Sequence, residues 1–423
     1  MTTAARLLAC AALLACAPLS AAPVVAVRAG HLLDPASQSV RENAVIVIEG
    51  GRVREIAASV PSGAEVVDLS GMYVLPGFID GHTHVLLQGD ATADDYDRQV
   101  YGESNAYRAL RASRALRLAL DYGFTTLRDI GNEGAGFADV DLKRAIERGI
   151  IPGPRLFVAT KALAPTGAYG PAGWAWELDL PKGVEMCDGP DACRRAVRDQ
   201  IAHGADWIKV YADRGYYKDA GGRVRSLSNF TPAELGAIVD EAHRQRRPVA
   251  AHSMTPDGHA AALGAGVDSI EHGDVLDDAT LATMAARGVY WCPTLTVTEY
   301  VAPRRAPQNP IWPTLLAELK KSFPRALRAG VKIALGTDAG GFPWEMNPAQ
   351  EFRGYVALGM TPWQALRAGT VTAAEMLGQT GKLGTLAPGA HADLVALRDD
   401  PLKDISATER VALVMKAGVV VKR

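Results

Sequence analysis

The sequence predicts an α/β protein: a (β/α)8 TIM barrel with a small β-sandwich domain formed from both chain termini. Two observations carry this. The middle of the chain alternates short apolar runs with longer helical stretches, the texture of repeated βα units around a parallel sheet. Both ends are instead rich in short strands broken by turns. A chain of 423 residues exceeds what one core usually organises, which suits one large barrel and one smaller unit.

Taken in order, the first segment stands apart. Arg6 precedes the apolar run Leu7 to Ala15, and Ser20-Ala21-Ala22 supplies small residues for cleavage. Such a run is too short for a permanent membrane span but fits a secretory signal peptide over residues 1–22, cleaved after Ala22. Leu13-Leu14-Ala15-Cys16 also resembles a lipobox, so lipidation at Cys16 is a competing reading. Either way the mature protein is expected to be exported, periplasmic or secreted, and no later segment looks like a stable membrane span.

Residues 23–75 form the first part of the β-domain. Ala44 to Ile48, the turn Glu49-Gly50-Gly51-Arg52 and Val53 to Ile56 read as a hairpin. Residues 381–423 supply the rest, with Asp393 to Leu397 and Val419 to Val421 as strands. Between them, residues 76–380 carry eight strand-like runs: Val74 to Ile79 (straddling the boundary), Thr125 to Ile130, Leu156 to Ala159, Trp207 to Tyr211, Pro248 to Ala251, Ser269 to Ile270, Val289 to Trp291 and Lys332 to Leu335. Helical stretches such as Ala106 to Leu120, Pro232 to Arg246 and Thr361 to Leu377 separate several of them. Thr231 as N-cap, with Pro232 at N1 and Glu234 at N3, marks one helix start. This count fits a (β/α)8 barrel.

Composition excludes some partners. Hydrophobic content of 48% and charged content of 22% are ordinary for a globular chain, and a formal charge of -2 gives nucleic acid no electrostatic hold. Two of the five cysteines fall in the signal. Cys187 and Cys193 flank a short loop and are either a disulfide or two unpaired thiols; export would permit the former. Cys292 lies in an apolar run and reads as core.

The chemistry sits at the strand ends. His82-Thr83-His84 follows the first run, and side chains at i and i+2 share a face, so both imidazoles can point into a barrel mouth. Imidazole is a common ligand for zinc and its neighbours. His252, His272 and Asp338 each follow a later run, at the C-terminal ends where barrel function resides. Lys209 is more telling. A lysine inside an apolar strand is costly unless paired or neutralised; burial lowers its pKa, and a neutral amine reacts with carbon dioxide to give an anionic carbamate able to bridge two cations.

Leu75-Pro76-Gly77-Phe78-Ile79-Asp80-Gly81-His82-Thr83-His84, Ala205-Asp206-Trp207-Ile208-Lys209, Ala251-His252, Ile270-Glu271-His272-Gly273 and Gly336-Thr337-Asp338-Ala339-Gly340 resemble the amidohydrolase superfamily, in its secreted Xaa-Pro dipeptidase-like branch. The resemblance extends to Gly389-Ala390-His391-Ala392-Asp393-Leu394. It is also close to exported bacterial members that hydrolyse ochratoxin A, a phenylalanine amide. It implies a binuclear, zinc-type centre: His82, His84 and Asp338 on one metal, His252 and His272 on the other, carboxylated Lys209 between them. A metal-bridging hydroxide would attack the amide carbonyl, with Asp338 as general base and then acid.

Substrates would be dipeptides or N-acyl amino acids, ochratoxin A (to ochratoxin alpha and phenylalanine) among them, with a free carboxylate held by Tyr211, Arg214, Tyr216, Tyr217, Arg304 or Arg305. Trp174, Trp176 and Trp312 suggest an apolar wall. Where relatives often carry a loop histidine, this chain has Tyr169, read as an oxyanion donor or as a tyrosine packed on Trp174 or Trp176. His31, His203, His243, His259 and His391 read as structural or surface residues. A deaminase or cyclic-amide hydrolase is the alternative within enzymes, disfavoured by the bridging lysine. An inactive binding barrel is disfavoured because all six ligands are kept. Relatives imply a homo-oligomer.

Overall fold

The structure, a computed structural model, describes residues 24–169, 173–175 and 177–423. The leader expected at residues 1–22, with Cys16, lies outside the described residues, as does Trp176.

Each of the eight expected runs yields a barrel strand: Phe78–Thr83, Phe124–Asp129, Arg155–Val158, Ile208–Tyr211, Val249–Ser253, Ser269–His272, Tyr290–Cys292 and Lys332–Ile333. Neighbours along this order pair in parallel within two sheets. Backbone hydrogen bonds close the ring between the sheets. Gly81 donates to the Leu335 carbonyl at 2.8 Å, Asp338 to His82 at 2.7 Å, and Trp207 to Val158 at 3.2 Å. Helices Asn105–Asp121 and Pro232–Arg244 follow the sequence expectation closely, and the Thr231–Glu234 capping box forms.

The first run is the exception. Val74 to Ile79 is not one strand: Glu65–Pro76 belongs to the terminal sheet and Phe78–Thr83 opens the barrel. Pro76 has no N–H to give a ladder. Gly77 then donates to the Asp393 carbonyl at 2.9 Å, and any side chain there would overlap Thr125. The break lets one continuous stretch of chain serve two sheets.

Both ends build one β-unit. Seven strands pair in a single mixed sheet, in which Leu394–Leu397 joins the C-terminal hairpin Val411–Lys422 to Glu65–Pro76 and the N-terminal strands. The sequence suggested a sandwich of sheets; here one sheet curls so that its end hairpins meet. Val53 donates to the Ala390 carbonyl at 2.9 Å, and a Cβ at Gly418 would touch Ile48. Alternate inward residues, including Val27, Ile46, Leu394, Leu413 and Met415, fill the enclosed core. Cys187 and Cys193 are joined as a disulfide, with Cα atoms 4.9 Å apart, and Cys292 is buried.

Candidate metal centre

Six side chains from five strand ends converge at the barrel mouth, His82 and His84 sharing one. The Nε2 atoms of His82 and His84 lie 3.6 and 3.3 Å from Asp338 Oδ1. His82, His272 and Asp338 each offer one donor atom within 4.8 Å of the others. The His252 ring sits 4.5 Å from that of His272. Lys209 is 1% exposed among them.

The imidazoles are aimed from behind. Glu271 accepts from His82 Nδ1 at 2.8 Å, the Gly131 carbonyl from His84 Nδ1 at 2.7 Å, and Thr294 Oγ1 pairs with His272 Nδ1 at 2.8 Å. Each contact leaves Nε2 facing inward, the arrangement that orients metal-binding histidines. Arg128 anchors this layer from below: it is buried, donates to Glu271 at 2.7 Å and stacks over Trp207 at 4.3 Å. His252 is held differently, with the Tyr216 hydroxyl 2.6 Å from its Nε2.

Burial sets the charge states. It holds His82, His252 and His272 well below the usual imidazole range, with the Lys209 charge acting in the same direction, so each offers a lone pair. It lowers the Lys209 amine to about 8, against the opposing pull of Glu271 and Asp338. It also pushes Asp338 well above the ordinary carboxylate range, helped by Asp90. Backbone strain gathers at the same place. His272, Asp338, Glu133 and Thr294 all have left-handed φ, between 50° and 70°, a conformation side-chain-bearing residues keep only when their surroundings demand it.

The donor set suits divalent cations. His82 Nε2 and Lys209 Nζ are buried with no hydrogen-bond partner among the described residues, a costly state that a bound group would relieve. The cavity around them measures about 130 Å³ and opens into an outer cleft that shares Asp90, Tyr169, Arg214, Arg305 and Trp312.

The expected substrate residues divide. Tyr169, Tyr211, Arg214, Tyr216, Arg305 and Trp312 line the cavity. Tyr217 is 46% exposed and outside its lining, since alternation along the hairpin strand Asp213–Lys218 turns it away from Tyr216. Arg304 folds back over Tyr300 instead. Tyr169 packs on Tyr96 and Tyr211, not on Trp174, and its hydroxyl donates to Glu133 at 2.7 Å. Trp174 packs on Tyr101 and donates to Asp97. His259 is buried and bonded to the Ser253 carbonyl. Sequence reasoning missed Glu271, Arg128 and Glu133. A glutamate beside His272 in a buried strand was a readable signal; Glu133 left none, because its partners come from distant loops.

A parallel barrel whose mouth gathers four imidazoles, a carboxylate and a buried amine has the donor set of one class, the metal-dependent barrel hydrolases. Residues 73–421 match the amidohydrolase family. The chain belongs to that family and is a hydrolase acting on carbon–nitrogen bonds of small molecules. It is 34% identical to ochratoxinase of Aspergillus niger over 379 residues, 82% of this chain and 75% of that protein. The solved A. niger ochratoxinase superposes with a TM-score of 0.80, covering 95% and 96% of the two chains at 30% identity. A solved Xaa-Pro dipeptidase with methionine bound in its active site gives a TM-score of 0.85 at 32% identity, over 95% of this chain and all of that one. No helix among the described residues is long and apolar enough to cross a membrane.

Proposed function

We propose that the protein is a binuclear metal-dependent amidohydrolase that cleaves dipeptides or N-acyl amino acids, ochratoxin A among them. The observation that carries this is the buried, unpartnered Lys209 amine amid three inward-facing imidazoles and Asp338. His82, His84 and Asp338 would hold one cation and His252 with His272 the other. Lys209, once carboxylated, would bridge them. Such a pair, zinc in our reading, lowers the pKa of a water at the site and polarises the amide carbonyl when bound.

The chain's own residues supply the rest. Asp338 takes the proton of the attacking water and delivers it to the departing nitrogen. Arg214, with no carboxylate partner among the described residues, anchors the substrate's free carboxylate. Tyr216, freed from His252, and Tyr211 flank it. The names of the relatives, an ochratoxinase and an Xaa-Pro dipeptidase, support an amide bond next to a carboxylate-bearing residue.

We read the chain further as a leader over 1–22, a barrel over 76–380 and a β-unit from 23–75 with 381–423, exported and homo-oligomeric. Mass analysis of the exported protein and its size in solution check those points. The deciding experiment is a product-resolved screen of the zinc-loaded protein against dipeptides, N-acyl amino acids and ochratoxin A. Release of a free amino acid, with about two metals bound per chain, is expected. If nothing bearing an amide is cleaved, the reading fails; turnover of cyclic amides or aminated rings instead would favour the cyclic-amide hydrolase or deaminase alternative.

A further inference from the structure

We propose that Glu133 is the anchor for a free α-ammonium group, so that the site prefers unblocked dipeptides to N-acyl amino acids. This rests on the amide-hydrolase reading above and narrows its substrate class.

Glu133 follows the second barrel strand and is 2% exposed, yet it lines the same cavity as Lys209, Asp338 and Arg214. Its Oε2 accepts from the hydroxyls of Tyr96 at 2.8 Å and Tyr169 at 2.7 Å. Its Oε1 faces the Tyr211 hydroxyl at 3.4 Å and His84 Nδ1 at 3.8 Å, a nitrogen already engaged by Gly131. No lysine or arginine side chain within ion-pair distance joins it among the described residues; Arg108 reaches only its backbone carbonyl. Three neutral hydroxyls satisfy its lone pairs in part but leave its charge uncompensated. A carboxylate has about four acceptor sites, so room remains for one more donor, and in a buried place a cationic donor gains most.

The surroundings are fitted to this carboxylate. Glu133 holds a left-handed φ of 50°, strain that a residue without a task would shed. Gly183 lies opposite, and a Cβ there would overlap the Tyr96 hydroxyl and come within 3.0 Å of Glu133 Oε2. A side chain at position 183 would displace the Tyr96 hydroxyl from its place beside Glu133.

Charge layout then points to the ligand. Of the cations lining the cavity, Arg305 is paired with Asp90 at 3.3 Å, whereas Arg214 lies 4.3 Å over the Tyr169 ring with no acid beside it. Tyr169 thus separates two unpaired opposite charges, Glu133 at its hydroxyl and Arg214 on its face. A dipeptide presents the matching pair: an ammonium on the carbon beside the scissile carbonyl, and a carboxylate on the carbon beside the scissile nitrogen. An N-acyl amino acid presents only the second.

The test is a matched pair, Ala-Phe and propionyl-Phe, which differ only in the amine. Zinc-loaded wild-type protein should show kcat/KM at least about tenfold higher for Ala-Phe, as expected of one charge-assisted contact. Glu133→Gln keeps an acceptor oxygen for the tyrosines but loses the charge. It should erase that preference while leaving propionyl-Phe within about threefold of wild type. A wild-type ratio at or below one overturns the proposal without touching the amide-hydrolase reading, and so does an equal loss on both substrates in Glu133→Gln, which would make the residue structural. Cleavage of neither compound, nor of any other amide, by the wild-type protein sinks the broader reading. Should Glu133→Gln not fold, the wild-type ratio alone decides.

Discussion

Replacing Lys209 with methionine should stabilise the metal-free protein at neutral pH while abolishing its activity. Burial lowers this amine from 10.5 to about 8. At about 1.4 kcal/mol per unit, the metal-free fold carries a cost of roughly 3 kcal/mol for housing the lysine. The sign follows from proton counts. Between pH 8 and 10.5 the unfolded chain holds a proton on this residue that the folded chain has released. Stability therefore rises with pH through that window, and the penalty is complete below about 8. Lys209→Met removes the titration, so the two proteins should differ most at pH 7 and run parallel above 10.5. Urea unfolding of chelator-treated, carbonate-free samples at several pH values would show it. Unfolding curves whose separation does not change with pH would refute the reasoning about burial. A variant that kept both metals and full turnover would refute the bridging role.

Further outcomes are expected. Asp338→Asn should lower kcat by about a thousandfold when compared at matched metal content, the scale of a lost general base. Arg214→Gln should raise KM about tenfold for substrates with a free carboxylate and leave their carboxamides nearly unchanged, as steady-state kinetics on the two would reveal. Replacing both Cys187 and Cys193 with serine opens a disulfide spanning a separation of 6 residues and should cost about 2 kcal/mol in chemical unfolding. Glu351, whose carboxyl is pushed up to about 7 by burial despite the opposing pull of two backbone N–H donors, keeps a proton that the unfolded chain releases near 4.5. That contribution is fully present below pH 4.5 and lost as pH rises through 7, so Glu351→Gln should flatten the thermal stability profile across the window.

The barrel and its six converging side chains were legible because their signals are local. A strand run ending in His, Lys or Asp announces its own position, and the register of a parallel barrel does the rest. What failed were features fixed by contacts between distant segments. The split at Pro76-Gly77 depends on Asp393 and Thr125, residues far along the chain. The orientation of His82 depends on Glu271 and Arg128, which meet only once the ring is closed. Tyr169 was singled out from the sequence, but its partner was not, since Glu133 reaches it across 36 positions. Tyr217 and Arg304 show the converse error: proximity in sequence to a site strand does not place a side chain in the site.

The strand Glu65–Pro76 leads through Gly77 into the strand Phe78–Thr83, which carries His82 and is followed at once by His84, and its C-terminal end pairs with Leu394–Leu397. A segment more than 300 positions away thus braces the root of the ligand pair. During synthesis that brace emerges only after every barrel strand. Closing so long a loop is entropically costly and slow, and until it closes Glu65–Pro76 is paired on one side only, with Val25–Asp34. The chain therefore completes its site late, and metal uptake should track the docking of its final strands more closely than the formation of its helices.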